Sequence, residues 1–231
     1  MTNVRINKYL SQNGYCSRRQ ADSLVGSGQV FINGKRAKLG DQVDQSSEVK
    51  VGSKIVSASS NQSKKVYIAY HKPIGVICTT ASKSPNNIID VINYPQRIFP
   101  VGRLDVASTG LIFLTNDGEW TNQLTHPKFE HAKEYEVTVD KPIGDKSLRG
   151  LTRGVQLKEG LAKADSIARV GDSMFRITIH QGWNKQIRRM LEEGGYQVKA
   201  LKRITIGQVG LGDLKSGQWR PLTQQEVESF K

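Results

Sequence analysis

The sequence offers little with which to stabilise itself covalently. Its two cysteines, Cys16 and Cys78, are far apart and have no partner spacing, which excludes a disulfide framework or a cysteine-built zinc site as a main stabiliser. Long apolar runs are missing as well. None approaches the roughly 20 residues that span a bilayer, and the N-terminus MTNVRINKYL has no signal-peptide core. The four histidines, His71, His126, His131 and His180, show no metal-ligand pairing, so metal catalysis has little support. No strand-like segment runs into Gly-x-Gly-x-x-Gly or a Gly-Lys-Ser/Thr phosphate loop, and there is no Gly-x-Ser-x-Gly elbow. Nucleotide-cofactor and serine-nucleophile chemistry are set aside on those grounds. No internal repeat is visible, and the cytoplasm is the expected compartment.

Acidic residues are the other scarcity. Against 34 Lys+Arg stand only 21 Asp+Glu, a formal charge of +13 on 231 residues. Such an excess suits a polyanionic partner, provided that it is clustered. Residues 1–60 hold nine Lys/Arg and four Asp/Glu, so the N-terminal quarter is proportionally the more basic. The polar stretch Ser57-Ala58-Ser59-Ser60-Asn61-Gln62-Ser63-Lys64-Lys65 reads as a linker. The expected organisation is therefore a module over 1–58, a linker over 59–65 and a larger domain over 66–231.

In the first module, Ile6, Tyr9 and Leu10 recur at helical spacing and stop at Gly14, a short amphipathic helix with a C-terminal signal. A second helix follows, opened by a Ser17…Gln20 capping box with Ala21, Leu24 and Val25 as its apolar face. Arg18 and Arg19 then sit in its first turn. The helix dipole disfavours cations there by about 0.3–1 kcal/mol each unless an anion joins them. Next, Asn33-Gly34 between β-prone residues signals a tight hairpin that delivers Lys35 and Arg36 just beyond it. This arrangement resembles the αL RNA-binding module, over roughly residues 3–55. The resemblance implies Arg18, Arg19, Lys35 and Arg36 as contacts to an RNA backbone.

Beyond the linker, β-prone stretches are read at Val66–Tyr70, Leu111–Thr115, Tyr135–Val139, Phe175–Ile179 and Val198–Ile206. Helices are read at about Trp120–Leu124, Lys146–Leu151 and Lys185–Glu193, and after the Thr223-x-x-Glu226 capping box. The expected fold class is α+β, with a mixed or largely antiparallel sheet in the larger domain. Its most conspicuous segment is Phe99-Pro100-Val101-Gly102-Arg103-Leu104-Asp105-Val106-Ala107-Ser108-Thr109-Gly110-Leu111, a glycine-bracketed loop that presents one carboxylate ahead of an apolar strand. By chemistry alone Asp105 reads as a turn cap before it reads as a catalytic group.

The motif Gly-Arg-Leu-Asp-x-x-Ser-x-Gly-Leu resembles the active-site loop of pseudouridine synthases, in the branch that modifies single ribosomal uridines and carries the αL module in front. Lys133-Glu134-Tyr135, Asn184-Lys185-Gln186-Ile187-Arg188-Arg189-Met190 and Gly217-x-Trp219-Arg220-x-Leu222-Thr223 agree with it. Phe31–Ala37, Arg97-x-Phe99-Pro100 and the run from Glu134 to Ile143 are most like the F subgroup of the synthases that act on large-subunit rRNA. The resemblance covers nearly the whole chain. It implies a cofactor-independent isomerase that converts one uridine of 23S rRNA, in a stem-loop, to pseudouridine, with a tRNA anticodon loop as a secondary substrate. A 16S rRNA enzyme is the alternative, and a non-enzymatic ribosome-associated RNA-binding protein is the alternative of another class. A monomer without metal is expected.

The resemblance assigns Asp105, Tyr135 and Arg188 to catalysis, Leu201 and Arg103 to the pocket, and Lys185 and Arg189 to RNA. Helix geometry agrees about Arg188. With a step of about 100° per residue, Arg188 flanks the Ile187–Met190–Leu191 stripe and can turn toward Asp105, keeping it ionised. Arg189 lies across the helix, toward solvent or phosphate. Lys185 stands where relatives often have Arg, which retains the charge and loses bidentate geometry.

Overall fold

The computed structural model describes residues 3–44, 46–56 and 64–230. Residues 57–63, which include most of the expected linker, lie outside the described residues. The chain forms two compact units, residues 1–65 with 116–118, and residues 66–115 with 119–231.

In the first unit, helices Ile6–Gln12 and Arg18–Gly26 precede a four-stranded antiparallel sheet. The capping box is formed: the Gln20 N–H donates to Ser17 Oγ at 3.2 Å, and the Ser17 N–H to Gln20 Oε1 at 3.0 Å. Strands Val30–Ile32 and Lys35–Arg36 close through Asn33 and Gly34, both at positive φ (48° and 78°), the two-residue turn that matches strand twist. Ile6, Leu10, Ala21, Val25, Val30 and Val49 fill the core. Leu24, expected on the apolar face, is partly buried and packs at the margin of this core.

The second unit is built on a nine-stranded mixed sheet among the described residues. Its path runs Ser166–Arg169, Met174–Ile179, Lys133–Val139, Val198–Ile206, Thr109–Thr115, Tyr67–Lys72, Trp219–Pro221. Every pairing is antiparallel except Val198–Ile206 with Thr109–Thr115. The central strands read as continuous apolar runs because both faces are covered. Ile112 and Leu114 join one core with Ile68, Tyr70 and Val137, whereas Leu111 and Phe113 join another with Trp120 and Phe230. The helix Gln186–Glu193 buries Ile187, Met190 and Leu191, the stripe expected from its spacing. Short elements escaped the sequence reading, among them Ile88–Ile92, capped by Asn87, and the Val155–Leu157/Gly160–Ala162 hairpin. Each is too short for periodicity to register. Val76–Cys78 forms no strand; Ile77 makes a single bridge to Asn87.

The lone parallel contact joins the two antiparallel halves of this sheet. Gly110 pairs with Lys72 on one side and with Arg203 on the other. Its φ is +106°, and a Cβ there would overlap the Arg203 backbone. Only glycine permits both the torsion and the approach. Gly110→Ala is therefore expected to cost about 3–5 kcal/mol, seen as a fall in Tm of roughly 10 °C with loss of turnover. Unchanged melting and turnover would contradict the close approach.

Candidate active site

Where the halves meet, a cavity of about 630 Å³ is lined by Arg103, Asp105 and Ser108 from one side and by Lys133, Tyr135, Leu201 and Arg203 from the other. Its lining also includes exposed Lys185 and buried Gln186 at the start of the Gln186–Glu193 helix. The strand period of two explains the far wall. Tyr135 and Leu201 face it as expected, and residues two removed from them on the same strands, Lys133 and Arg203, share that face.

Asp105 sits on a loop pinned at several points. The Leu104 N–H lies 3.4 Å from Cys78 Sγ, and the Gly75 N–H donates to the Val106 carbonyl at 2.9 Å. The turn at Asp105 is closed by its backbone carbonyl, which accepts the Ser108 N–H at 3.0 Å. The carboxylate is thus not used up as a turn cap, and it faces the cavity. Beneath the loop, Lys72 is fully buried and donates from Nζ to the carbonyls of Pro73 and Val76, both at 2.9 Å. Burial holds its ammonium below the usual lysine range, while Cys78 and Asp105 pull it back and Arg203 adds to the fall. Burial likewise pushes the Cys78 thiol up, against the Leu104 N–H and the nearby cations.

Two arginines behave differently from the sequence expectation. Arg188 makes no ion pair with Asp105 among the described residues. Its Nη2 donates to the Ala107 carbonyl at 2.9 Å and lies 3.5 Å from Ser108 Oγ, and Nη1 donates to the Val198 carbonyl at 3.1 Å. It holds the carboxylate's loop rather than the carboxylate. The helical angle gave its direction correctly, but loop carbonyls lie nearer than the acid. Arg189, expected at solvent or phosphate, instead makes a bidentate pair with Glu159 at 2.8 and 3.1 Å. That acid is on a hairpin 30 residues upstream, beyond the reach of helix periodicity.

Arg203 is a residue the sequence reading missed. It is buried, its Nε donates to the Leu111 carbonyl at 2.7 Å, and its Nη1 lies 3.5 Å from the Tyr135 hydroxyl. Its guanidinium stands 5.9 Å from the Tyr135 ring centroid, and Nη2 is buried without a hydrogen-bond partner. The available signal was alternation: Leu201 pointing inward carries Arg203 inward with it. Lys133 was missed as well. Its Nζ donates to the carbonyls of His131 and His180, and burial, reinforced by Arg203 and opposed by Asp165, lowers its pKa to about 8.

In the first unit, Arg18, Arg19, Lys35 and Arg36 are all exposed. The Arg36 guanidinium folds back beside Gly28, just past the end of the Arg18–Gly26 helix. Arg18 and Arg19 occupy the opposite end of that helix. No three His, Cys, Asp or Glu side chains converge to hold a metal ion among the described residues, and no helix there is long and apolar enough to cross a membrane.

Residues 66–193 match the RNA pseudouridylate synthase family, and residues 4–55 match the S4 domain. Over all 231 residues the chain is 45% identical to the dual-specificity RNA pseudouridine synthase RluF of Escherichia coli K12, of which it spans 79%. It is 37% identical over 236 positions to the ribosomal large subunit pseudouridine synthase B of Bacillus subtilis 168, covering 98% of this chain and 95% of that one. A crystal structure of a pseudouridylate synthase superposes with a TM-score of 0.71 at 31% identity, covering 99% of this chain and all of the other.

Arg188→Ala frees the loop that carries Asp105, and a misplacement of about 1 Å can cost 100-fold in rate. A fall of about that size is expected in single-turnover kinetics, with Arg189→Ala within about threefold of the parent. Equal effects from the two variants would contradict the tether.

Proposed function

This chain belongs to the RNA pseudouridylate synthase family and is a pseudouridine synthase acting on RNA; from that premise we propose that its substrate is one uridine in a stem-loop of 23S rRNA, with a tRNA anticodon loop as a second substrate. A relative named as a ribosomal large subunit synthase supports the first part, and one named as dual-specificity supports the second.

The reaction breaks the bond between ribose C1′ and uracil N1, turns the base, and joins C1′ to C5. The C5 proton is lost and N1 gains one, so no atom is added and no redox partner is required. What is required is a carboxylate at the sugar or the base, inside a pocket that holds an extruded nucleotide. Extrusion costs a few kcal/mol of stacking and pairing. The observation that carries the reading is Asp105, facing the cavity opposite Tyr135 and Leu201 with its carboxylate not used in the turn. In the proposed roles, Asp105 reacts at the sugar or the base, Tyr135 stacks on the uracil, Leu201 walls the pocket, and Arg188 positions the loop. Arg103 and Lys185 stand at the rim, where RNA phosphates pass. Arg18, Arg19, Lys35 and Arg36 hold structured RNA from the S4 domain.

Asp105→Ala is expected to abolish tritium release from stem-loop RNA labelled at uracil C5 while RNA affinity stays within a few-fold. Appreciable turnover by this variant would overturn the assignment. Replacing Arg18, Arg19, Lys35 and Arg36 together by Gln removes up to four phosphate contacts. The slope of log affinity against log salt should then flatten by roughly 3, at about 0.7–0.9 per contact. An unaltered slope would exclude these four from the interface.

A further inference from the structure

Lys133 has no part in the roles assigned so far. It begins the strand that carries Tyr135, points to the same face, and lines the same cavity. Its ammonium has three N–H groups. Two are engaged by backbone acceptors, the His131 carbonyl at 2.9 Å and the His180 carbonyl at 3.3 Å. The third position is left for a ligand.

The surroundings say what kind of ligand suits it. Neither carbonyl is charged. From the neighbouring strand Arg203 works against the ammonium, and Asp165 works for it. Asp165 already accepts from His180 Nδ1 at 2.7 Å, and His131 Nε2 lies 3.1 Å from the Gln123 carbonyl. Asp105, Glu130, Arg103 and Lys185 share the cavity. Burial outweighs these influences and lowers the lysine to about 8. A half-buried cation set mainly against dipoles is costly to keep charged, and a full negative charge in contact with it offsets that cost. In a nucleotide only the phosphates carry one, since uracil and ribose oxygens are neutral.

Resting on the reading of the cavity as a uridine pocket, we propose that Lys133 grips a phosphate of the extruded nucleotide through its third N–H. The nucleotide is then anchored by its backbone from the same strand face on which Tyr135 meets its base. Only the ammonium form binds in this way. Affinity is therefore nearly full at pH 7 and falls as pH rises through 8. At pH 9 about one molecule in eleven keeps the proton, so with a neutral side chain that binds about tenfold less tightly, binding weakens about fivefold relative to pH 7.

The test uses the full-length chain carrying Asp105→Asn, so that turnover is silenced. The probe is a fluorescent stem-loop from 23S rRNA in which the wild-type enzyme forms pseudouridine, and Kd is read by anisotropy at pH 7 and pH 9. The expected result is about a fivefold loss between the two for the parent. Adding Lys133→Arg keeps the charge at both pH values and abolishes that loss, while sharing every other titrating group with the parent. Adding Lys133→Gln weakens binding about tenfold at pH 7 and leaves no loss at pH 9. On RNA with a neutral methylphosphonate at one of the two phosphates flanking the target uridine, the Lys133→Gln penalty vanishes, whereas a lysine that reads the base or only braces the loop keeps it on both RNAs. A persistent penalty on both, or a Lys133→Gln variant that binds like the parent with the same pH dependence, overturns the proposal. Absence of pseudouridine with the wild-type enzyme on every 23S stem-loop would overturn the substrate reading instead. Circular dichroism of each variant, together with the Lys133→Arg rescue, separates lost contact from lost fold.

Discussion

The site depends on one close approach, the backbone of Gly110 against that of Arg203. Two antiparallel blocks of strand meet there through the single parallel pairing of the sheet. The block containing Tyr67–Lys72 and Thr109–Thr115 carries the loop with Asp105. The block containing Lys133–Val139 and Val198–Ile206 carries Tyr135, Leu201, Arg203 and Lys133. A side chain at position 110 would prise the blocks apart and take the carboxylate away from the wall that faces it. The glycine that closes the sheet is thus also the residue that assembles the pocket.

Charge inside that pocket is arranged against the usual cost of burial. Lys133 and Arg203 line it and Lys72 lies beneath the Asp105 loop; Lys72 and Arg203 are buried, Lys133 is half-buried, and the two lysines donate to backbone carbonyls rather than to acids. Asp105 has cations near it and no ion pair among the described residues. Its side chain is left open to the cavity. In the proposed reading, the cationic lining draws a polyanion toward the acid. The formal +13 is therefore divided between two places. Arg18, Arg19, Lys35 and Arg36 lie on the surface of the S4 domain, and a smaller set lies in and beneath the cavity that Asp105 lines.

Legibility in the sequence followed the range of the interaction. Local devices were plain: both Ser/Thr capping boxes, the Asn33-Gly34 hairpin and the stripe on the Gln186–Glu193 helix all rest on neighbours within a few positions. The loop carrying Asp105 was legible through its resemblance to a known family, since its local chemistry also fits a turn cap. Partners distant in sequence were not legible. Helix angle pointed Arg188 toward the loop but could not choose between its carbonyls and its carboxylate. Arg189 meets Glu159 only because its helix packs against the Val155–Leu157/Gly160–Ala162 hairpin, and Lys72 feels the charge of Asp105 only because the fold lays the loop over it. Arg203 and Lys133 were within reach of a simple alternation argument from Leu201 and Tyr135. Their charge hid them, because long basic side chains on strands are ordinarily solvated.

The central claim is that this chain converts a uridine to pseudouridine at a defined place in RNA. Chemical mapping of pseudouridine across total RNA, from cells with and without the gene, tests it most directly. The account predicts that loss of the gene removes a signal from a single stem-loop of 23S rRNA, with a matching loss in a tRNA anticodon loop where that second substrate is used, and that restoring the gene restores them. Identical pseudouridine maps in the two strains would contradict it.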